Sequence, residues 1–335
     1  MKKLILFYIT IVIAVYWIWV YFSYLIIPFK PAEYNIAIKR WACDGYFKAQ
    51  PGKYHNSKYN TRYTINSKGF RGDEFSEKEG LRIIAIGASS TMGVESNDPD
   101  TWPAKLQKYL GIETLNCGIG SATSGNHLKM MDEVLEYEPD IIVYYAGRND
   151  HGTDNFERYP GPELFPDGRW IFFKRWAIYK KIQLRFILLK FLNFDIDPLI
   201  PINQWTRSYR ANLENMIQKA SEAGASFVIV TQVLDYPDEI YEAIINEEDV
   251  VKKISFKDRR WHLFLRQMDV IKIQRQLSEG HGLTMIDLHE EFYNGKKGKE
   301  RLFYDYIHLA PEGNDLIART VTRHLKAKNE RKEAL

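Results

Sequence analysis

Ser89, Asn149, Asp305 and His308 each stand in a short block of residues able to do polar chemistry. The blocks are Gly87-Ala88-Ser89-Ser90-Thr91-Met92-Gly93, Asn116-Cys117-Gly118-Ile119-Gly120-Ser121-Ala122-Thr123, Gly147-Arg148-Asn149-Asp150 and Asp305-Tyr306-Ile307-His308-Leu309. One at a time, each has an ordinary structural explanation. A serine at a strand-to-helix junction caps the helix, an asparagine there makes a turn, and an aspartate near a histidine makes a salt bridge. Together they supply complementary parts of one reaction. A serine hydroxyl becomes a nucleophile when a base takes its proton, and the base needs a partner that fixes its tautomer. Ser89 is the candidate nucleophile, His308 the base and Asp305 its partner, because a separation of three residues makes two side chains neighbours on one helical turn. Ser90 is a rival nucleophile; the Gly-x-Ser-x-Thr spacing favours Ser89.

A tetrahedral intermediate also needs donors aimed at its oxyanion. The backbone N–H groups of Ser89 and of the glycine-rich turn in the second block would supply two, and the Asn149 amide a third. His151, directly after the third block, is a candidate substrate-binding residue, and Asp150 reads as a loop anchor. The other histidines show no H-E-x-x-H or paired metal spacing, so no metal is expected.

These blocks must be placed by regular elements. From Leu81 onward, short apolar runs (Arg82 to Ile86, Thr114 to Leu115, Ile141 to Tyr145, Phe227 to Val230, Thr284 to Ile286) alternate with longer helical patterns. The helices are predicted near Trp102 to Leu110, Asn126 to Glu136, Ser208 to Glu222, Arg259 to Leu277 and Gly313 to Lys326. Such alternation implies an α/β fold with a parallel sheet covered on both faces, whose ligands bind beyond the carboxyl ends of the strands. Three of the four blocks follow an apolar run directly. Upstream, residues 31–80 form a connecting region in which Tyr63 to Arg71 reads as a small hairpin around an Asn-Ser-Lys-Gly turn.

With 335 residues, 45% hydrophobic and 27% charged, the chain excludes disorder, a collagen-like fibre and a disulfide scaffold. Its formal charge of +3 is unevenly placed: seven basic and eight aromatic residues crowd positions 169–194, and removing those seven leaves the rest at −4. Nucleic acid is not an expected partner. Leu4 to Ile27 is 24 residues without a charge, about 36 Å as a helix and enough to cross a bilayer core of about 30 Å. Without a small-residue cleavage site it reads as an uncleaved signal anchor over residues 1–30, single-pass, with the bulk of the chain extracytoplasmic. The residues around 155–205 are too many for a simple connection and read either as a membrane-adjacent lid or as a helix packed on the core with a solvated basic face. Nothing in the sequence says that Cys43 and Cys117 pair. Residues 327–335 read as a charged, frayed tail.

The four ordered blocks resemble those of the SGNH (GDSL-type) hydrolase superfamily, over roughly Leu81 to Leu325. The resemblance implies a flavodoxin-like three-layer domain over 81–326, a serine esterase activity through an acyl-serine intermediate, and no cofactor. Ser89 matches the nucleophile of the first block, Asn149 the asparagine of the Gly-x-Asn-Asp block, and Asp305 and His308 the Asp-x-x-His block. Asn66 to Arg71 is similar to a segment of membrane-anchored envelope members. Two positions depart from the pattern. Ala88 replaces the usual aspartate, and with Asn116 aligned Ser121 falls where the oxyanion glycine would stand, with Gly118 and Gly120 just upstream; the donor is a backbone N–H, so the resemblance leaves Gly120 and Ser121 both open. The implied substrate is an acylated carbohydrate, with acetyl as one acyl group, or a lipid ester at the cell envelope. An O-acyltransferase would use the same acyl-enzyme, since water and a sugar hydroxyl attack from the same position. A non-catalytic glycan-binding or assembly protein is the contrary reading, against which stands the presence of all four side chains.

Overall fold

The computed structural model describes residues 41–43, 46–150, 202–253, 261–298 and 300–333. Among these residues nine strands run in order: β1 (Trp41–Cys43), β2 (Tyr46–Lys48), β3 (Gly52–Asn56), β4 (Thr61–Ile65), β5 (Arg82–Gly87), β6 (Glu113–Gly118), β7 (Ile141–Tyr145), β8 (Ser226–Val230) and β9 (Thr284–Ile286). The described helices are α1 (Ser89–Met92), α2 (Trp102–Leu110), α3 (Ser124–Glu136), α4 (Ile202–Glu222), α5 (Asp238–Ile245), α6 (Val250–Lys253), α7 (Trp261–His281), α8 (His289–Lys297) and α9 (Pro311–Glu333).

Every residue of β5 is buried, as a central strand covered on both faces requires. Its alternate side chains feed two cores. Ile84 and Ile86 pack with Met130 and Val134 of α3, Leu213 and Met216 of α4, and Val270 and Ile273 of α7. Ile83 and Ala85 pack with Trp102 and Leu106 of α2, Phe292 of α8, and Ile317 and Val321 of α9. Each fully buried isoleucine contributes about 1.5–3 kcal/mol, which is why the apolar runs choose these positions. The five strands pair in parallel in the order β6-β5-β7-β8-β9. Counted from β5 this is 2-1-3-4-5, the flavodoxin-like order, and it brings the ends of β5, β6 and β7 side by side.

The five predicted strands and five predicted helices are all present, with boundaries that differ by a few residues. Four helices, α1, α5, α6 and α8, have no counterpart in the sequence prediction. Residues up to Glu333 extend α9 instead of forming a frayed tail, since Lys, Ala, Glu and Arg are good helix formers. The hairpin also differs: the paired strands are β3 and β4, while past the Asn66 turn only the bridge between Ile65 and Arg71 remains. Asn66 accounts for this. Its Oδ1 accepts the N–H groups of Lys68 and Phe70, and its Nδ2 donates to the Asp73 carbonyl, so a side chain reinforces the few backbone bonds that close the turn. Arg71 then bridges Asn116 on the edge strand β6. Cys117 is a free thiol in the buried core.

The predicted anchor, most of the 155–205 insertion and His151 lie outside the described residues. Among the described residues no helix is long and apolar enough to cross a membrane.

Candidate active site

The ends of β5 and β6 create the platform for Ser89. A Cβ on Gly87 would stand 2.0 Å from Thr91 Oγ1, and one on Gly118 would stand 2.3 Å from the Met92 nitrogen. Both strands must therefore end without a side chain for α1 to sit on them. Asn116 joins the two: its Nδ2 donates to the Thr91 carbonyl at 2.9 Å while its Oδ1 accepts from the Gly118 N–H at 3.0 Å. From below, His127 Nε2 lies 3.1 Å from the Gly87 carbonyl. Burial presses this imidazole down to about 4, so it is neutral and donates there.

Ser89 Oγ is 3.1 Å from His308 Nε2, and His308 Nδ1 is 2.8 Å from Asp305 Oδ2. Asp305 and His308 do not share a helical turn, as their spacing suggested. They stand on a bend closed by the antiparallel bridge between Phe303 and Leu309. Asp305 Oδ1 organises that bend by accepting the N–H groups of Ile307 at 2.9 Å and His308 at 2.8 Å. Partial burial works to raise the Asp305 carboxyl, but the hydrogen bonds from the His308 ring and from these two N–H groups outweigh it and hold the group at about 2. Burial also works against a charged His308, and the Asp305 hydrogen bond with the charges of Glu95 and Asp305 overcomes it, leaving the imidazole raised above its ordinary value. Ser90, the rival nucleophile, is 2% exposed and donates its hydroxyl to the Ile307 carbonyl at 3.2 Å, so it pins the bend instead of facing the base.

After β6 comes the turn Ile119–Ala122, closed by the Ala122 N–H on the Ile119 carbonyl. Ser121 has φ of 65° in it, a left-handed value that favours glycine. Positive φ at that position only is the pattern of a type II turn, which favours glycine there. Among the described residues, the N–H groups of Ser89, Gly120 and Ser121 have no hydrogen-bond acceptor. Asn149 sits in the turn Arg148–Asp150 after β7, and its Nδ2 donates one proton to the Ala122 carbonyl at 2.9 Å, which keeps the amide against the second block and leaves its other proton. Asp150 accepts the Ser124 N–H at 3.0 Å and the Ser124 hydroxyl, anchoring the start of α3. Burial pushes its carboxyl up to about 7 against those two donors. Arg148 ties this turn to the fourth block, Nη2 donating to Tyr306 Oη at 3.4 Å.

Two charged residues near the site carried no sequence assignment of their own. Arg71, 3% exposed, donates to the carbonyls of Met92 at 2.9 Å, Gly93 at 2.6 Å and Ser96 at 2.7 Å, and to Asp98 Oδ1 at 2.8 Å. It clamps the loop that leaves α1. On that loop Glu95 is 2% exposed, with Oε1 at 3.7 Å from His308 Nε2. Only the Asn-x-x-Gly-Phe-Arg pattern pointed toward Arg71; for Glu95 the sequence carries no signal. Among the described residues no three His, Cys, Asp or Glu side chains are grouped to hold a metal ion.

The model of the GDSL-like lipase/acylhydrolase family matches residues 85–316. Solved structures similar to the chain include a lipase/acylhydrolase from Enterococcus faecalis, at 19% identity over 74% of this chain and 97% of that one, with a TM-score of 0.45. An esterase from Pseudoalteromonas sp. is 16% identical over 75% of this chain and 100% of that one, with a TM-score of 0.43. A catalytic mutant of an acetylxylan esterase from Geobacillus stearothermophilus is 14% identical over 73% and 93%, with a TM-score of 0.45. No curated protein matches the chain.

Proposed function

The chain belongs to the GDSL-like lipase/acylhydrolase family and is a serine hydrolase of ester bonds; from that premise we propose that it removes an acyl group, such as acetyl, from a carbohydrate of the cell envelope through an acyl-Ser89 intermediate. The observation that carries the mechanism is the unbroken contact from Ser89 Oγ through His308 to Asp305. Ser89 Oγ attacks the ester carbonyl as its proton passes to His308 Nε2, and the Ser89–carbon bond forms while the carbonyl electrons move onto oxygen. The open N–H groups of Ser89 and of Gly120 or Ser121, with the remaining Asn149 amide proton, are the donors for that oxyanion. Collapse expels the alkoxide, which takes the proton from His308. Water then repeats the sequence on the acyl-enzyme, with His308 again as base.

The site of action is inferred from the sequence. The uncharged run from Leu4 to Ile27 supports a single-pass anchor with the hydrolase extracytoplasmic, and the basic, aromatic 169–194 stretch supports a membrane-adjacent lid and a lipid ester as the second substrate reading.

An active-site-directed phosphonate followed by mass spectrometry tests the mechanism. Label is expected on Ser89, absent in Ser89→Ala and sharply weakened in His308→Ala. Label on another residue, or none, sinks the assignment.

A further inference from the structure

His308 is flanked by two carboxyls, and the mechanism above uses one. Asp305 serves Nδ1. On the other side Glu95 Oε1 lies 3.7 Å from Nε2, the nitrogen that exchanges the proton with Ser89, and is among the buried atoms without a hydrogen-bond partner. A buried carboxyl oxygen without a donor is costly and is normally paired or neutralised. This one is held in place deliberately. Arg71 grips the carbonyls on both sides of it, Met92 and Gly93 before and Ser96 after, and Asn314 Nδ2 on α9 donates to Ser96 Oγ at 3.1 Å. The loop therefore cannot swing Glu95 into water without breaking this set of bonds.

We propose that Glu95 is a positioning residue for His308, a second carboxylate that stabilises the imidazolium from the Nε2 side while the proton is in transit between Ser89 and the leaving oxygen. The inference rests on the serine hydrolase reading of Ser89 and His308. In the resting enzyme Nε2 presents a lone pair to the Ser89 hydroxyl, and a negative Oε1 beside it offers nothing. Once Nε2 gains the proton, the same oxygen faces an N–H bearing positive charge. The attraction exists only in the state that must be reached, which is the condition for an interaction to accelerate a reaction. The groups acting on Glu95 are Asp305 and His308 from the fourth block, and Arg71 from the segment after β4. Its charge is also felt by Lys58, Tyr63 and Tyr304. Burial pushes its carboxyl up, with Asp305 adding to the rise, while His308, its own backbone N–H and Arg71 pull it down. Glu95 and His308 thus compete for one proton, and loss of that proton from Glu95 makes His308 the stronger base.

The test compares wild type, Glu95→Gln and Glu95→Asp in two measurements on the full chain: the pH profile of kcat/KM for p-nitrophenyl acetate, and the titration of the His308 ring nitrogens by NMR. In Glu95→Gln, which keeps shape and removes charge, the His308 titration and the acid limb are expected to move down by roughly one pH unit, a tenfold loss of proton affinity. Turnover at neutral pH is expected to fall about 10-fold. Glu95→Asp, which keeps the charge one methylene further back, should recover part of both. Wild type alone should show a second inflection in the His308 signals as Glu95 titrates, so the result does not depend on the variant folding. An unchanged His308 titration in folded Glu95→Gln, or a single inflection in wild type, overturns the proposal. A wild type that turns over no ester would sink the esterase reading and leave the NMR titration to report on Glu95.

Discussion

On one side of Ser89 the bend between Phe303 and Leu309 satisfies itself: Asp305 Oδ1 takes two backbone N–H groups, Oδ2 takes the His308 ring, and the His308 carbonyl takes the Tyr304 N–H at 2.8 Å. On the other side the turn Ile119–Ala122 and the start of α1 keep N–H groups without an acceptor among the described residues, and Asn149 has spent one of its two amide protons. The base side is finished before substrate arrives. Under the proposed function the second side is the oxyanion side, and its open donors suit that role, because donors already satisfied in the resting enzyme would return nothing when the carbonyl oxygen becomes charged. Order on one side and open donors on the other are thus two requirements of a single proton transfer.

If the base side is one self-satisfied unit, its loss should be the larger. Asp305→Asn can still accept the two backbone N–H groups through Oδ1, so the fold should hold. Its amide, however, would face His308 Nδ1 with a donor and favour the tautomer whose Nε2 carries the proton, which cannot accept from Ser89. Turnover of p-nitrophenyl acetate is expected to drop by about 10⁴ with little change in Tm; a drop under tenfold would mean that Asp305 serves the bend and not the base. In wild type, since His308 must be neutral to act and its pKa is raised above 6.5, activity should disappear as pH falls through a value above 6.5. The open side is tested by Asn149→Ala, which removes one donor of three and should lower kcat by roughly 10²–10³. Full activity in that variant would take Asn149 out of the oxyanion site and leave only backbone donors.

The same contrast explains what could be read from the chain in advance. The five strands were legible because Arg82 to Ile86 and its counterparts are short apolar runs between polar segments, and a doubly covered sheet allows little else. Ser89 and Asn149 were legible because their place at strand ends follows from that sheet, and His308 because an aspartate stands three residues before it. The three-residue spacing of Asp305 and His308 correctly suggested neighbours but the wrong geometry, since a carboxylate capping two N–H groups makes a bend as readily as a helix brings two side chains together. The four-residue helices α1 and α6 offered too few turns for a period to emerge, whereas α8, as long as the predicted α2, carries a glycine and two lysines in its second half that blur its apolar face. Glu95 was illegible for a different reason: its approach to His308 depends on a loop path fixed by Arg71, and Arg71 binds carbonyls, which every residue has. Contacts made to the backbone leave almost no trace in residue type.

The smallest effect probes the open side at its most strained point. Ser121 holds a left-handed φ of 65°, which costs a residue with a Cβ about 1–2 kcal/mol. Glycine would relieve that cost but lose about 0.5–1 kcal/mol of it again through the greater freedom of the unfolded chain. Ser121→Gly should therefore stabilise by about 0.5–1 kcal/mol, a rise in Tm of about 1–4 °C. Because the turn offers a backbone N–H and the exposed Ser121 side chain makes no hydrogen bond to another described residue, kcat/KM should stay within about threefold of wild type. A tenfold loss would show that the serine hydroxyl itself meets the substrate, so that this chain departs from its family by a contact and not merely by a tolerated side chain.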